Sequence, residues 1–397
     1  MAPQTSGPAG GPVGVYVHFP WCLKKCPYCD FVSFASERPA IDHRGYADAV
    51  LAEIDRRRPE IEGREVATVF VGGGTPSLWE PEELGRVVAR LREVGRFADD
   101  VEVTVECNPT SLDEARARAI GAAGANRLSV GVQGLDRERL SFLGRLHDEA
   151  GGLVAVREAL ASGIGRVSAD VIYGVGGGRP ETPEEAAEEV GRVADTGVTH
   201  VSAYALTIEA STMFGELARK GTLPILGDDA IAEAFLAVRG ALEARGFVHY
   251  EVSNYAKPGH EARHNLGYWR GRDYVGLGCA AYGTISEPGG GARRYRNRTD
   301  PERYQAAALA GESTEGSSEA LDAETRLRER IMLGLRLAEG LDLDAAAAEL
   351  GVPAWTAERR RAADRLARRG RLVVEGGRVR VPHGEWLFAD GVAADLF

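Results

Sequence analysis

The feature that most narrows the folding choices is a repeat of Val-rich apolar runs, each followed by a stretch of helical character. The runs are VGVYVHF (Val13–Phe19), VATVFV (Val66–Val71), VEVTVE (Val101–Glu106), RLSVGVQ (Arg127–Gln133), RVSADVIYG (Arg166–Gly174) and HVSAYALT (His200–Thr207). Acidic, Ala-rich segments such as DEARARAIGAAG and TPEEAAEEVGRVADTG separate them and close on Gly, as helices do. Near-continuous apolar strands alternating with helices signal a parallel sheet covered on its outside. A closed barrel of this kind takes eight units. Six predict an α/β fold in the form of an open, partial (β/α)6 barrel.

Polar residues gather where these strands end: Cys22 after the first, Gly72 to Thr75 after the second, Glu106 after the third, Gln133 after the fourth and Asp170 within the fifth. The carboxyl ends of parallel strands are where such folds carry their chemistry. One such residue would be an ordinary loop residue. The same placement on successive strands predicts a site.

After Thr207 the pattern changes. A helix is expected near Asp228 to Arg245, then strands in FVHYEVSNYA (Phe247–Ala256), then HNLGYW (His264–Trp269) and DYVGLGCAAYGTI. The run AGESTEGSSEA (Ala310–Ala320) predicts a linker. Three helical patterns follow, centred near Arg330, Ala346 and Ala363, and then a hairpin around Glu375-Gly376-Gly377. The expected plan is a flexible tail over 1–12, a core over 13–309, a linker over 310–320 and a small helical, winged-helix-like domain over 321–397.

Composition excludes several classes. A chain of 397 residues with 44% hydrophobic residues can bury a real core. Its 48 basic and 59 acidic residues leave a charge of −11, the wrong sign for coating nucleic acid. The run RRRAADRLARRGR (Arg359–Arg371) invites a DNA-binding winged-helix redox regulator as an alternative. From Ala320 onward, however, 13 Arg meet 13 acidic residues, so a solvated helix face is the favoured reading. No window approaches the roughly twenty apolar residues of a membrane span. The start MAPQTSGPAGGPVG lacks the basic segment and long apolar core of a secretory signal. A cytoplasmic protein with no nucleic-acid partner and no transmembrane segment is expected.

Of five cysteines, Cys22, Cys26 and Cys29 crowd into eight positions, while Cys107 and Cys279 stand alone and read as small buried hydrophobes. An odd, clustered set is a poor disulfide framework and suits a reducing compartment. Spacings of three and two residues let one loop wrap an inorganic centre, as in iron–sulfur proteins. Zinc competes, but a structural zinc wants four protein ligands, and Asp30 and Phe31 come next instead. Three thiolates on a four-iron cube leave one iron open to a small molecule.

The segment CLKKCPYC, preceded by YVHFPWC and followed by DF, resembles the cysteine signature of the radical S-adenosylmethionine family. With GGGTPS, VECNP, GVQ, DVIYG, HNLGYW and the C-terminal module, the likeness covers nearly the whole chain. It is to the branch containing oxygen-independent coproporphyrinogen oxidases and HemW-type haem chaperones. The resemblance implies a [4Fe–4S] cluster held by Cys22, Cys26 and Cys29, with the amino and carboxylate groups of S-adenosylmethionine on the fourth iron. An electron from the reduced cluster would cleave the sulfonium to methionine and a 5′-deoxyadenosyl radical.

By the same resemblance, Gly73, Gly74 and Thr75 hold the methionyl amino group, and Tyr16, Tyr28, Glu106, Gln133, Arg145 and Asp170 contact S-adenosylmethionine. The resemblance also implies haem binding by the segment 247–285, with His264 as the axial ligand of the iron. Asn265, Tyr268 and Trp269 complete that segment, and flat aromatic faces beside an imidazole suit a porphyrin.

Two departures separate the chain from the oxidases. They carry a further Cys two residues after the third cluster Cys, where Phe31 stands here, and a longer segment before the cluster. Both disfavour coproporphyrinogen decarboxylation. The reading that follows is a haem chaperone that binds haem, a cluster and exchangeable S-adenosylmethionine, with no residue assigned as catalytic. It would pass haem to an apo-haem acceptor, a respiratory haem enzyme that can be membrane-associated. The alternative is an oxygen-independent coproporphyrinogen III dehydrogenase. Tyr282 stands where the resemblance would place a His.

Overall fold

The computed structural model describes residues 11–397. The expected tail over 1–12 lies outside them except for its last two positions. Each apolar run is a strand: β1 Val13–Phe19, β2 Glu65–Gly73, β3 Arg96–Cys107, β4 Arg127–Gln133, β5 Arg166–Tyr173 and β6 His200–Ala205. They pair in parallel in chain order. Beyond β6 lie the antiparallel β8 (Asn254–Ala256) and the edge strand β7 (Val248–Glu251). On the other side β9 (Tyr274–Leu277) runs parallel to β1. Next come the antiparallel β10 (Tyr282–Ser286), β11 (Ala292–Asn297) and β12 (Glu315–Leu321). The result is one 12-stranded sheet whose outermost strands are β12 and β7, with seven adjacent parallel strands, β9 and β1 to β6, in its middle. The six repeats therefore make an open barrel, as their number predicts.

Helices α1 (His43–Arg56), α2 (Pro81–Val94), α3 (Glu114–Ala122), α4 (Glu149–Ala161) and α5 (Pro183–Ala194) follow the first five strands. Helix α2 shows why they lie against the sheet: Leu84, Val87, Val88 and Leu91 recur at helical spacing and are buried together. Helix α5 opens in a capping box between Thr182 and Glu185. Strand valines such as Val15, Val69, Val103 and Val130 are fully buried, each contributing roughly 1.5–3 kcal/mol of burial free energy. Polar residues alternate with them: Thr104, Ser129, Asp170 and Ser202, on four successive strands, line an internal cavity.

The stretch expected as a linker is largely a strand. Glu315–Leu321 pairs with Ala292–Asn297, supported by ion pairs from Arg293 to Glu315 (2.8 Å) and from Arg294 to Glu319 (3.4 Å). Five of its seven residues are exposed, so nothing in its position demands apolar side chains. Charged residues suit a sheet edge because they discourage further pairing.

Beyond it, helices Ala323–Gly334, Leu343–Leu350 and Ala357–Arg368 pack with a three-stranded antiparallel sheet. Gly376 (φ 55°) and Gly377 (φ 83°) turn its hairpin, the backbone such a two-residue turn requires. Leu327, Ile331, Leu343, Leu366 and Val379 join a core continuous with that of the barrel. The Arg-rich helix is solvated as expected at Arg360, Arg361, Arg365 and Arg368, but not at Arg359. Arg359 is 1% exposed and donates to Leu396 O (2.8 Å) and Ala354 O (3.0 Å), while pairing with Glu324 at 2.9 Å. Its charge fastens the chain terminus.

Candidate functional site

The cysteine loop leaves the carboxyl end of β1 and is pinned on both flanks by backbone. On one flank Phe34 N donates to Pro20 O and Ser36 N to Cys22 O, each at 2.8 Å. On the other, Gly74 N donates to Phe19 O (2.7 Å) and Thr75 N to Trp21 O (2.8 Å). The Gly-rich turn after β2 thus serves as the shelf for the loop. A Cβ on Gly74 would meet Trp21 O at 2.6 Å, and one on Gly73, whose φ is +110°, would meet the His18 ring at 2.6 Å. Glycine is required there by close approach of the chain itself.

Cys22, Cys26 and Cys29 are free thiols at the lip of a cleft of about 440 Å³. Burial pushes Cys29 up to about 11 and raises Cys22, whose thiol is relieved in part by hydrogen bonds from Thr75 and Ser33. Binding a positive centre would reverse that shift by deprotonating the thiols.

Arg145 donates from Nη1 to Cys26 Sγ (3.6 Å) and from Nη2 to Gly131 O (2.8 Å). Tyr28, Gly73, Gly74, Thr75, Glu106, Gln133, Arg145 and Asp170 all face this cleft. Gln133 sits at φ +66°, an uncommon conformation for a residue with a side chain, beside a break in the β4–β5 register. Glu106 accepts the N–H of Gly73 at 3.0 Å, and Ser129 donates to Asp170 at 3.0 Å. Burial, reinforced by the Asp170 charge, pushes Glu106 up to about 8, and burial raises Asp170 as well. Two carboxyls placed together this deep favour a cationic ligand.

Tyr16 is placed elsewhere. Its hydroxyl pairs with His18 Nδ1 at 2.9 Å, and it lines a second hollow of about 540 Å³ inside the barrel, not the cleft of the cysteines. His264, Asn265 and Tyr268, on the short helix α6 (Arg263–Trp269), line that same hollow, toward the amino ends of the strands. His264 is 3% exposed; its Nδ1 pairs with the Thr68 hydroxyl (2.8 Å) and its Nε2 with the Tyr268 hydroxyl (2.9 Å). Its ring stacks on Phe70 at 5.2 Å, and burial lowers it to about 3, so the imidazole is neutral. The backbone N–H of His264 donates to Glu102 at 3.1 Å, a buried carboxylate paired with Arg127. Trp269 does not reach the hollow: the Arg336 guanidinium lies 5.4 Å from its ring, in the C-terminal part of the chain.

Gly73, Glu106, Ser129, Asp170 and Tyr204 line both spaces, so the thiols and His264 face one continuous interior from opposite ends. Sequence reasoning missed Phe70, Arg127, Ser129, Ser202 and Arg296 on its walls. The serines carried a signal, since Ser129 and Ser202 break otherwise apolar strands next to Asp170. Phe70 and Arg296 carried none.

A parallel half-barrel with three cysteines after its first strand and a C-terminal helical domain defines a radical S-adenosylmethionine protein. The model of the "Radical SAM superfamily" matches residues 16–190 and that of the "HemN C-terminal domain" matches residues 321–388. The chain is 37% identical to "Heme chaperone HemW" of Mycobacterium tuberculosis over 389 residues, 98% of this chain and 95% of that one. It is 37% identical to the Escherichia coli protein of that name over 74% of this chain and 75% of that one. The fold of coproporphyrinogen III oxidase (HemN) from Escherichia coli superposes with a TM-score of 0.81, covering 98% of this chain and 90% of that one at 22% identity. The chain belongs to the HemW family of the radical SAM superfamily. The cofactors of that superfamily are a [4Fe–4S] cluster and S-adenosylmethionine, and the three free thiols, the guanidinium and the paired carboxyls beside one cleft fit them.

Proposed function

We propose that this chain is a haem chaperone, taking haem into the hollow between the cysteine loop and His264 and passing it to an apo-haem acceptor. The observation that carries this reading is a neutral imidazole inside a large interior walled by aromatic rings. His264 supplies a nitrogen donor for haem iron, at the Nε2 that now meets the Tyr268 hydroxyl. Tyr16, Phe70, Tyr268 and Tyr274 offer flat faces for the ring. The Nε of Arg296, buried without a partner, puts positive charge on the wall for a propionate.

Cys22, Cys26 and Cys29 would hold the cluster in this reading, and the cluster, when bound and reduced, would supply an electron for cleavage of S-adenosylmethionine. Gly73, Gly74 and Thr75 give a close-packed turn for its methionyl group, and Glu106 and Asp170 receive its cationic part. Tyr28, Gln133 and Arg145 border the same cleft. The acceptor would be a respiratory haem protein, membrane-associated or not. No helix among the described residues is long and apolar enough to cross a membrane, and three free thiols suit a reducing, cytoplasmic setting.

Phe31, exposed beside the third cluster cysteine, occupies the place where the oxidases carry a further Cys, which supports the chaperone over the dehydrogenase. Anaerobically reconstituted protein, loaded with haem, should deliver it to the apo form of a b-type respiratory haem protein. Given coproporphyrinogen, S-adenosylmethionine and reductant, it should form no protoporphyrinogen. Formation of that product would replace the chaperone reading with the dehydrogenase.

A further inference from the structure

Away from both cleft and hollow, three side chains distant in sequence converge where the C-terminal domain meets the edge of the core. Glu243 ends the helix Asp228–Glu243, His249 stands on the edge strand β7, and His383 opens the short helix His383–Phe388. One donor atom from each lies within 4.8 Å of the other two. His249 Nδ1 faces His383 Nε2 at 3.0 Å, and His383 Nε2 lies 3.6 Å from Glu243 Oε1.

The tautomer of His249 follows from its neighbours. Its Nε2 lies 3.1 Å from the carbonyl oxygen of Val252, which only accepts, so the proton sits on Nε2 and the lone pair of Nδ1 points at His383. A backbone carbonyl on the far nitrogen is the usual way a metal-binding imidazole is oriented. The ring is held by Tyr255, stacked at 4.0 Å, and by the edge contact of Trp386 at 4.4 Å. Arg239 fixes the third donor by bonding to His383 O at 3.1 Å.

A tetrahedral zinc with bonds of about 2.0–2.1 Å spaces nitrogen and oxygen donors about 3.3 Å apart. The observed 3.0 and 3.6 Å bracket that spacing. We propose that Glu243, His249 and His383 form an open, three-ligand site for zinc, or a divalent cation of similar softness, where the C-terminal domain meets the core. Glu243 and His383 are open to solvent, so water could take the remaining position. This imidazole–carboxylate set matches known three-ligand zinc sites.

The test uses the full chain with its cluster reconstituted anaerobically, so that the cysteines are occupied and iron is counted separately. Chelator-treated protein is titrated with Zn2+ by calorimetry and with Co2+ by visible absorption. The expected result is one Zn2+ per chain, tetrahedral Co2+ bands and a rise in Tm with Zn2+. His383→Ala and Glu243→Gln, both surface substitutions, should each weaken Zn2+ binding at least about tenfold while leaving iron content and circular dichroism unchanged. No Zn2+ uptake beyond the iron, or equal affinity in both variants, would overturn the site.

Discussion

Arg145 joins Cys26 to the fourth strand: one guanidinium nitrogen donates to the Cys26 sulfur at 3.6 Å and the other to the Gly131 carbonyl at 2.8 Å. The fork geometry of arginine makes both bonds from one rigid plane. Arg145→Ala should cost about 1–3 kcal/mol of stability, measured by urea unfolding, and should hasten iron loss under anaerobic dialysis. Arg145→Lys keeps the charge but cannot make both bonds, so it should fall between the two. Cluster retention equal to wild type in the alanine variant would remove Arg145 from the site.

The glycine shelf gives a second prediction. Gly74→Ala drives a Cβ into Trp21 O, and Gly73→Ala adds the strain of φ +110° to a clash with His18. Each should destabilise the protein by about 1–3 kcal/mol and lower cluster yield on reconstitution. Gly163→Ala, which also has positive φ but meets nothing within 4 Å, separates backbone strain from the clash. It should cost less and leave cluster yield unchanged.

Glu106 sets a pH dependence. Its folded value of about 8 lies above its ordinary 4.5, because burial and then Asp170 disfavour its charge. Between those values the folded chain keeps a proton that the unfolded chain has released. Stability of the cluster-free protein should therefore fall as pH rises through that window, by up to about 1.4 kcal/mol per pH unit from this group. Glu106→Gln cannot ionise and should flatten the slope, read from urea midpoints between pH 5 and about 8. An unchanged slope would show that Glu106 does not carry the proton.

Much of this was legible in the sequence because the physics is local. Val-rich runs separated by capped helices state a parallel sheet, and three cysteines in eight positions state an inorganic centre. The edge strand Glu315–Leu321 was misread as a linker because a strand with most of its residues in solvent looks, in composition, like a loop. Arg359 looked solvated because nothing near it in sequence announces Leu396 or Glu324 as partners. Glu243, His249 and His383 went unseen because 134 residues separate the two imidazoles. Tyr16 and Trp269 show the remaining limit. Tyr16 faces the hollow and Trp269 lies against Arg336, neighbours that membership in a motif does not specify.

The central claim is that His264 serves a haem hollow distinct from, and continuous with, the cysteine cleft. Its most direct measurement is an anaerobic optical titration of cluster-loaded wild type and His264→Ala with haem. The account predicts that wild type binds one haem per chain. In the variant, haem affinity should fall at least about tenfold while the iron–sulfur absorption and iron content are retained. Equal haem affinity in the two proteins, with both clusters intact, would contradict it.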